Sequence, residues 1–187
     1  MSEPFLETIE QLIDRLEFRS IPRKSYAGPD PYPDSDSEGV DPQTWDSVFE
    51  GLAQEAIKTY LRGPGHPQHA FVCEMLGEEA ILQGSRDPHL RARLFLRSIC
   101  GAEVLPEDGS SLKIFISHTG TIGPAGLNTG ENLPLPTPIE FISCFYQCTL
   151  TINDGVRNLL QAGPPYSVFE AWFHGAVLEP SEYQDIY

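Results

Sequence analysis

The first apolar pattern lies at the N-terminus. Phe5, Ile9, Leu12 and Leu16 recur at helical spacing, with Leu6 and Ile13 widening the stripe. Residues 3–18 are therefore expected to form an amphipathic helix, with Ser2 as cap and Glu3 and Pro4 in its first turn. Its apolar face needs a cover, either the rest of the chain or a partner protein. Residues 21–40, IPRKSYAGPDPYPDSDSEGV, have no period. Proline fixes φ and removes backbone donors, so a linker is expected there. Asp41 and Pro42 then open a helix to Leu61, with Trp45, Phe49, Leu52, Ala56 and Tyr60 at helical spacing. After Arg62-Gly63-Pro64-Gly65, a further helix is predicted over 67–83, with Phe71, Met75 and Leu82 facing inward. Another is predicted over 89–99, burying Leu90, Leu94 and Ile99 and leaving Arg91, Arg93 and Arg97 as a solvated face.

Beyond Gly101 the period changes from helix to strand. Leu112–Ser117 places Ile114 and Ile116 on one side and Phe115 on the other. Glu140–Ile152 reads as one strand, with Ile142, Cys144, Tyr146, Cys148, Leu150 and Ile152 on a common face. Between them, 120–138 is a long loop rich in Gly, Pro, Asn and Thr. A short helix at 156–161, an apolar segment at 169–178 and an acidic, tyrosine-rich tail complete the chain. Helices first and strands later define an α+β class: N-terminal helices packed on a small mixed sheet in a single globular domain, with a tethered N-terminal helix. The expected division is a helix in 1–20, a Pro-rich acidic linker in 21–40 and a domain in 41–187. On that division, 41–187 folds without the first forty residues.

The length of 187 residues suits about one domain at ~150 residues each. The net charge of −15 argues against a nucleic-acid partner and against docking on anionic membrane. No apolar run approaches the ~18 residues of a membrane span. The acidic N-terminus does not read as a signal peptide, and Cys73, Cys100, Cys144 and Cys148 read as free thiols, so a cytoplasmic or nuclear location is expected. The acidic run 34–38, DSDSE, reads as solvated linker rather than as a kinase target.

Few constellations carry chemistry. His66, His69 and Cys73 have zinc-ligand types, but the Cys-x-x-Cys pairs of a structural site are missing. Gly-rich 120–130 lacks the lysine and following helix of a phosphate loop, so no cofactor or metal is expected. A cysteine nucleophile remains. Cys144 lies just beyond the Pro-rich loop, in Ser143-Cys144-Phe145. On a regular strand Cys148 would share its face at about 13 Å, too far for a redox pair. A catalytic thiol calls for a nearby imidazole, cation or helix N-terminus, and His118 and His174 are the candidates. A cysteine in an apolar strand is otherwise an inert core residue.

The order of segments resembles the C-terminal lobe of HECT-type ubiquitin ligases. The likeness runs from Thr59-Tyr60-Leu61-Arg62-Gly63 through His66-Pro67 and the following helix to Leu94–Pro106, a basic leucine-rich helix ending in Gly101 and Pro106. It continues through the strand ending at His118, then Leu133-Pro134 or Leu135-Pro136, Ser143-Cys144-Phe145, Cys148, Leu150 and the helix 156–160. It covers about 59–165. The chain departs from the family in lacking the large lobe that recruits the charged conjugating enzyme. It also has Ile142 where the family has His, Ser143 for Thr, and Tyr146 where Asn is common.

The resemblance implies a ubiquitin-protein transferase. Cys144 would form a thioester with ubiquitin taken from a charged conjugating enzyme and pass it to a substrate lysine. Ser143 would sit beside the reacting carbonyl, and Phe145 would anchor the turn in the core. The alternative is a non-catalytic protein-interaction module, with the apolar face of helix 3–18 docked on a partner. Exposure of the Cys144 thiol favours the first reading; burial favours the second.

Overall fold

The computed structural model describes residues 8–22, 42–119 and 138–178. The expected Ser2 cap, most of the linker with its acidic run, the loop 120–137 and the tail 179–187 lie outside these residues. The architecture is α+β, as expected: helices packed on a four-stranded mixed sheet.

The N-terminal helix is the first correction. Helix α1 spans only Ile9–Asp14, and the chain goes on directly into strand β1, Leu16–Ser20. Thr8 caps α1 through a capping box with Gln11: its hydroxyl accepts from the Gln11 amide, and the Gln11 side chain accepts from the Thr8 amide. Leu12 is fully buried, and Ile9, Ile13, Leu16 and Phe18 pack on the same core. The face offered above to a partner is thus used within the chain. The helix ends early because β1 finds a pairing edge, an interaction the isolated segment lacks.

Helix α2 spans Pro42–Arg62 and carries Phe49, Ala53, Ala56, Ile57, Tyr60 and Leu61 into the core. The helix expected over 67–83 is two, α3 (Ala70–Leu76) and α4 (Glu78–Gly84), broken at Gly77 with φ +80°. The break rotates Leu82 outward, where it is 69% exposed instead of buried. Helix α5, Leu90–Cys100, ends in a left-handed cap at Gly101. Its Arg91 is buried rather than solvated. The guanidinium donates from Nε to Gly65 O at 2.9 Å, and from Nη1 to Tyr60 O at 3.3 Å and to Glu170 Oε2 at 2.8 Å. Arg93 and Arg97 stay partly exposed.

Strand β2, Leu112–His118, pairs in parallel with β1 (Leu16 opposite Leu112, Ser20 opposite Ile116). The expected strand 140–152 is a hairpin. It consists of β3 (Ile139–Ile142), a 3-10 turn at Ser143–Phe145 and β4 (Gln147–Ile152), with β3 and β4 antiparallel. β4 also pairs in parallel with β2, from Lys113 opposite Gln147 to His118 opposite Ile152, giving the order β1-β2-β4-β3. The alternation read from sequence holds within β2 and β4. Ile114, Ile116, Cys148, Leu150 and Ile152 are buried, while Lys113, Phe115, Gln147 and Thr149 are half-buried on the other face.

Helix α6 spans Asp154–Gln161, starting two residues before the predicted 156, because the Asn153 carboxamide accepts from the Val156 amide and caps it. Helix α7, Ser167–Leu178, is apolar almost all round and lies in the centre of the fold. Its Phe173 ring meets Tyr60 edge-on at 4.9 Å and stacks on Phe169 at 5.7 Å.

Candidate functional site

Cys144 sits at the tip of the β3–β4 hairpin. Ile142 leaves the extended conformation at φ −123°, ψ 84°, and Ser143–Phe145 make a single 3-10 turn. Tyr146 closes it in the left-handed region, φ 52°, ψ 48°, where a residue with a Cβ is uncommon. The Tyr146 amide donates to Ser143 O at 3.2 Å, and its carbonyl accepts from the Lys113 amide at 2.9 Å. The turn is therefore fixed from both sides, to itself and to β2. It also rests on the end of α5, since a Cβ placed on Gly101 would lie 3.9 Å from the Ser143 Cβ.

The three candidate residues have different surroundings. The Cys144 thiol is free and exposed. Ser143 is half-buried beside it. Phe145 does not anchor the turn in the core: it is 63% exposed. The core contact is made instead by Tyr146, which the left-handed backbone turns back against the apolar cluster. Cys148 is buried in β4, and burial pushes its thiol far up. Burial pushes the Cys100 thiol up to about 11. Cys73, on α3, is exposed like Cys144. Two thiols are thus open to reagents, one on a short helix and one at a hairpin tip.

No protein-family model, curated protein or solved structure matches the chain.

Both histidines considered as a base are engaged elsewhere. His118 lies at the carboxyl end of β2, opposite Ile152, whereas the Cys144 turn precedes the other end of β4. Five strand residues separate the two levels (113 to 118), about 17 Å at ~3.3 Å per residue. The His118 side chain is committed elsewhere, with Nε2 3.0 Å from Glu50 Oε1 and Nδ1 3.4 Å from Asp46 Oδ1. Asp46 also accepts from Nη2 of the fully buried Arg157 at 3.2 Å, and Asp154 lies 3.8 Å from Nη1. Ser20 at the end of β1 donates to the same Glu50. This network joins β1, α2, β2 and α6, at the end of the sheet away from the Cys144 turn.

His174 lies within α7, 2.8 Å from Tyr60 Oη through Nδ1 and 2.8 Å from His66 Nδ1 through Nε2. Its bonding to His66 also separates the three residues weighed for zinc. His69 caps α3, its Nδ1 accepting from the Phe71 amide at 3.3 Å, and Cys73 points to solvent. Among the described residues, no group of three or more His, Cys, Asp or Glu is placed to hold a metal ion. No described helix is long and apolar enough to cross a membrane.

Two charged side chains missed as buried groups are Arg91 and Arg157, with half-buried Glu170 as the partner of Arg91. Arg91 and Arg157 each lie within the apolar stripe of an amphipathic helix, with Phe95 four residues after Arg91 and Leu160 three after Arg157. That position within the apolar stripe was the available signal.

Proposed function

We propose that this chain is a HECT-like acyl-transfer lobe that takes ubiquitin onto Cys144 as a thioester and passes it to a lysine. The observation that supports it is the exposed Cys144 sulfur at a hairpin tip held by the backbone on both sides. A macromolecular thioester requires a nucleophile that stands proud of the fold, and a turn supplies one where a regular strand does not.

The Cys144 thiolate attacks the thioester carbonyl carbon. A carbon–sulfur bond forms to Cys144, and the bond to the conjugating enzyme's cysteine breaks, releasing that sulfur as a thiolate. In the second step a neutral lysine amine attacks the same carbon. An amide forms, Cys144 leaves as a thiolate and the amine's proton passes to solvent. Exchange between thioesters is close to isoenergetic, so the first step calls mainly for positioning. In this reading the Ser143 hydroxyl donates to the carbonyl oxygen, and exposed Phe145 gives the incoming protein an apolar contact.

Incubation with ubiquitin-charged conjugating enzymes, read on a non-reducing gel, tests it. The expected result is a dithiothreitol-sensitive adduct that Cys144→Ser abolishes while thermal unfolding stays unchanged. An equal adduct on the variant, or none on the wild type, refutes the assignment. A second reading, a non-catalytic interaction module, draws on the large exposed ring of Phe145. It no longer rests on the N-terminal helix, whose Leu12 face is internal. In that case Phe145→Ala weakens partner binding and no thioester forms.

A further inference from the structure

We propose that the paired imidazoles of His66 and His174 form an acid-opened latch that holds the α3–α4 segment, residues 70–84, against the body of the fold. The inference does not depend on the role of Cys144.

The pair is built from three elements. His174 comes from α7 and is fully buried. Its Nδ1 meets Tyr60 Oη of α2, and its Nε2 meets His66 Nδ1, both at 2.8 Å. The two rings cross edge-to-face at 5.0 Å. His66 lies directly on the end of α4: a Cβ on Gly84 would come within 2.4 Å of its ring. Only glycine at 84 allows that approach. His66 thus bridges α4 and the core through one ring.

The bridge tolerates few protons. A hydrogen bond between two imidazole nitrogens uses one hydrogen, so protonating both rings sets N–H against N–H. A single proton adds a cation to a site that already holds one. The Arg91 guanidinium of α5 lies 5.4 Å over the Tyr60 ring, and the facing carboxylate is Glu170 of α7, already paired with Arg91 at 2.8 Å. His69 at the start of α3 is engaged as a cap, and the Asp87 carboxylate after α4 is taken by Arg93 and the His89 amide. Burial first, and Arg91 after it, lower the pKa of His66. Burial, His66 and Arg91 in that order push His174 down to about 3. Both groups are thus held below the ~6.5 of a free histidine, so the closed form binds fewer protons than the open one. Its stability is full above about pH 6.5 and falls as pH drops through that value toward the closed-state pKa.

The segment that opens is the weakly held one. Helices of seven residues fall short of the ~12–15 needed for helicity alone. Within 70–84 only Val72 and Gly84 are buried, and Phe71 touches α7 at Gly175. Release would uncover Phe71, Val72 and that face of α7.

Amide hydrogen exchange on the full chain at about pH 7 and about pH 5, corrected for intrinsic rates, tests the latch. Exchange in 70–84 is expected to accelerate relative to α2 and α5, by up to about tenfold per proton per pH unit. His66→Gln keeps a hydrogen-bonding group that does not titrate, and it is expected to reduce the acceleration about tenfold per pH unit. No selective acceleration, or equal acceleration in the variant, overturns the proposal. Should His66→Gln not fold, proton NMR of wild-type His66 decides. A midpoint below about 6.5 that coincides with lost protection in 70–84 supports the latch, and a midpoint at or above it refutes it.

Discussion

Arg91 shows how one side chain can hold several segments. It satisfies the carbonyls of Tyr60 and Gly65, where the chain leaves α2, and neutralises Glu170 on α7. Removing it leaves a mostly buried carboxylate without its partner. Arg91→Ala is therefore expected to cost about 3–5 kcal/mol in urea unfolding, while Arg97→Ala, on the exposed side of the same helix, costs less than about 0.5. Gly63 belongs to the same arrangement, because a Cβ there would meet the Arg91 guanidinium at 2.0 Å. Thiol chemistry offers a second residue-scale test. With the Cys100 thiol near 11, its reactive thiolate is scarce at neutral pH. Iodoacetamide, followed by peptide mass spectrometry, is expected to label Cys144 and Cys73 at least about tenfold faster than Cys100, with Cys148 labelled only on unfolding. A slow Cys144 would remove the basis for its role as nucleophile.

The elements were legible where one period ran undisturbed. α2, α5 and β2 follow their patterns to within a residue or two because each buries a single clean stripe or face. Legibility failed where two periods overlap. Leu16 ends the helical stripe and also begins the alternation Leu16, Glu17, Phe18, Arg19 of β1, and only pairing with β2 decides between them. The run 140–152 is longer than the five or six residues of an ordinary strand. That excess was the one hint of a turn, yet no glycine or proline marks it, because Tyr146 takes the left-handed position itself. The candidate site suffers accordingly: the alternation predicts a common strand face for Ile142, Cys144 and Tyr146, whereas Cys144 stands at the tip of a turn. Packing at α1 gives the test at this scale. Leu12→Ala is expected to cost about 2–5 kcal/mol, measured by chemical denaturation, although it lies in a segment first read as an appendage. A cost below about 0.5 kcal/mol would mean α1 is not part of the core.

At the scale of the molecule, the proposed division after residue 40 gives way. β1 supplies one strand of a four-stranded sheet, and α1 contributes to the same cluster as α2, α5 and α7. A chain beginning at residue 41 exposes one side of β2 and leaves the space of Leu12 empty. That truncation is expected to lose its cooperative thermal transition or to melt at least about 10 °C lower, as a deficit of several kcal/mol demands. An unchanged melting temperature would restore the appendage.

The parallel register of Leu16 with Leu112 has a further consequence during synthesis. About a hundred residues must leave the ribosome before the opening strand meets its mate, and contacts of such long sequence separation form slowly. Over that interval the nine residues 8–16 are too few to hold a helix by themselves. The apolar positions Ile9, Leu12, Ile13 and Leu16 therefore stay uncovered until the later strand and helices arrive. Slow synthesis of the second half thus lengthens the time in which this stretch is open to association with other chains.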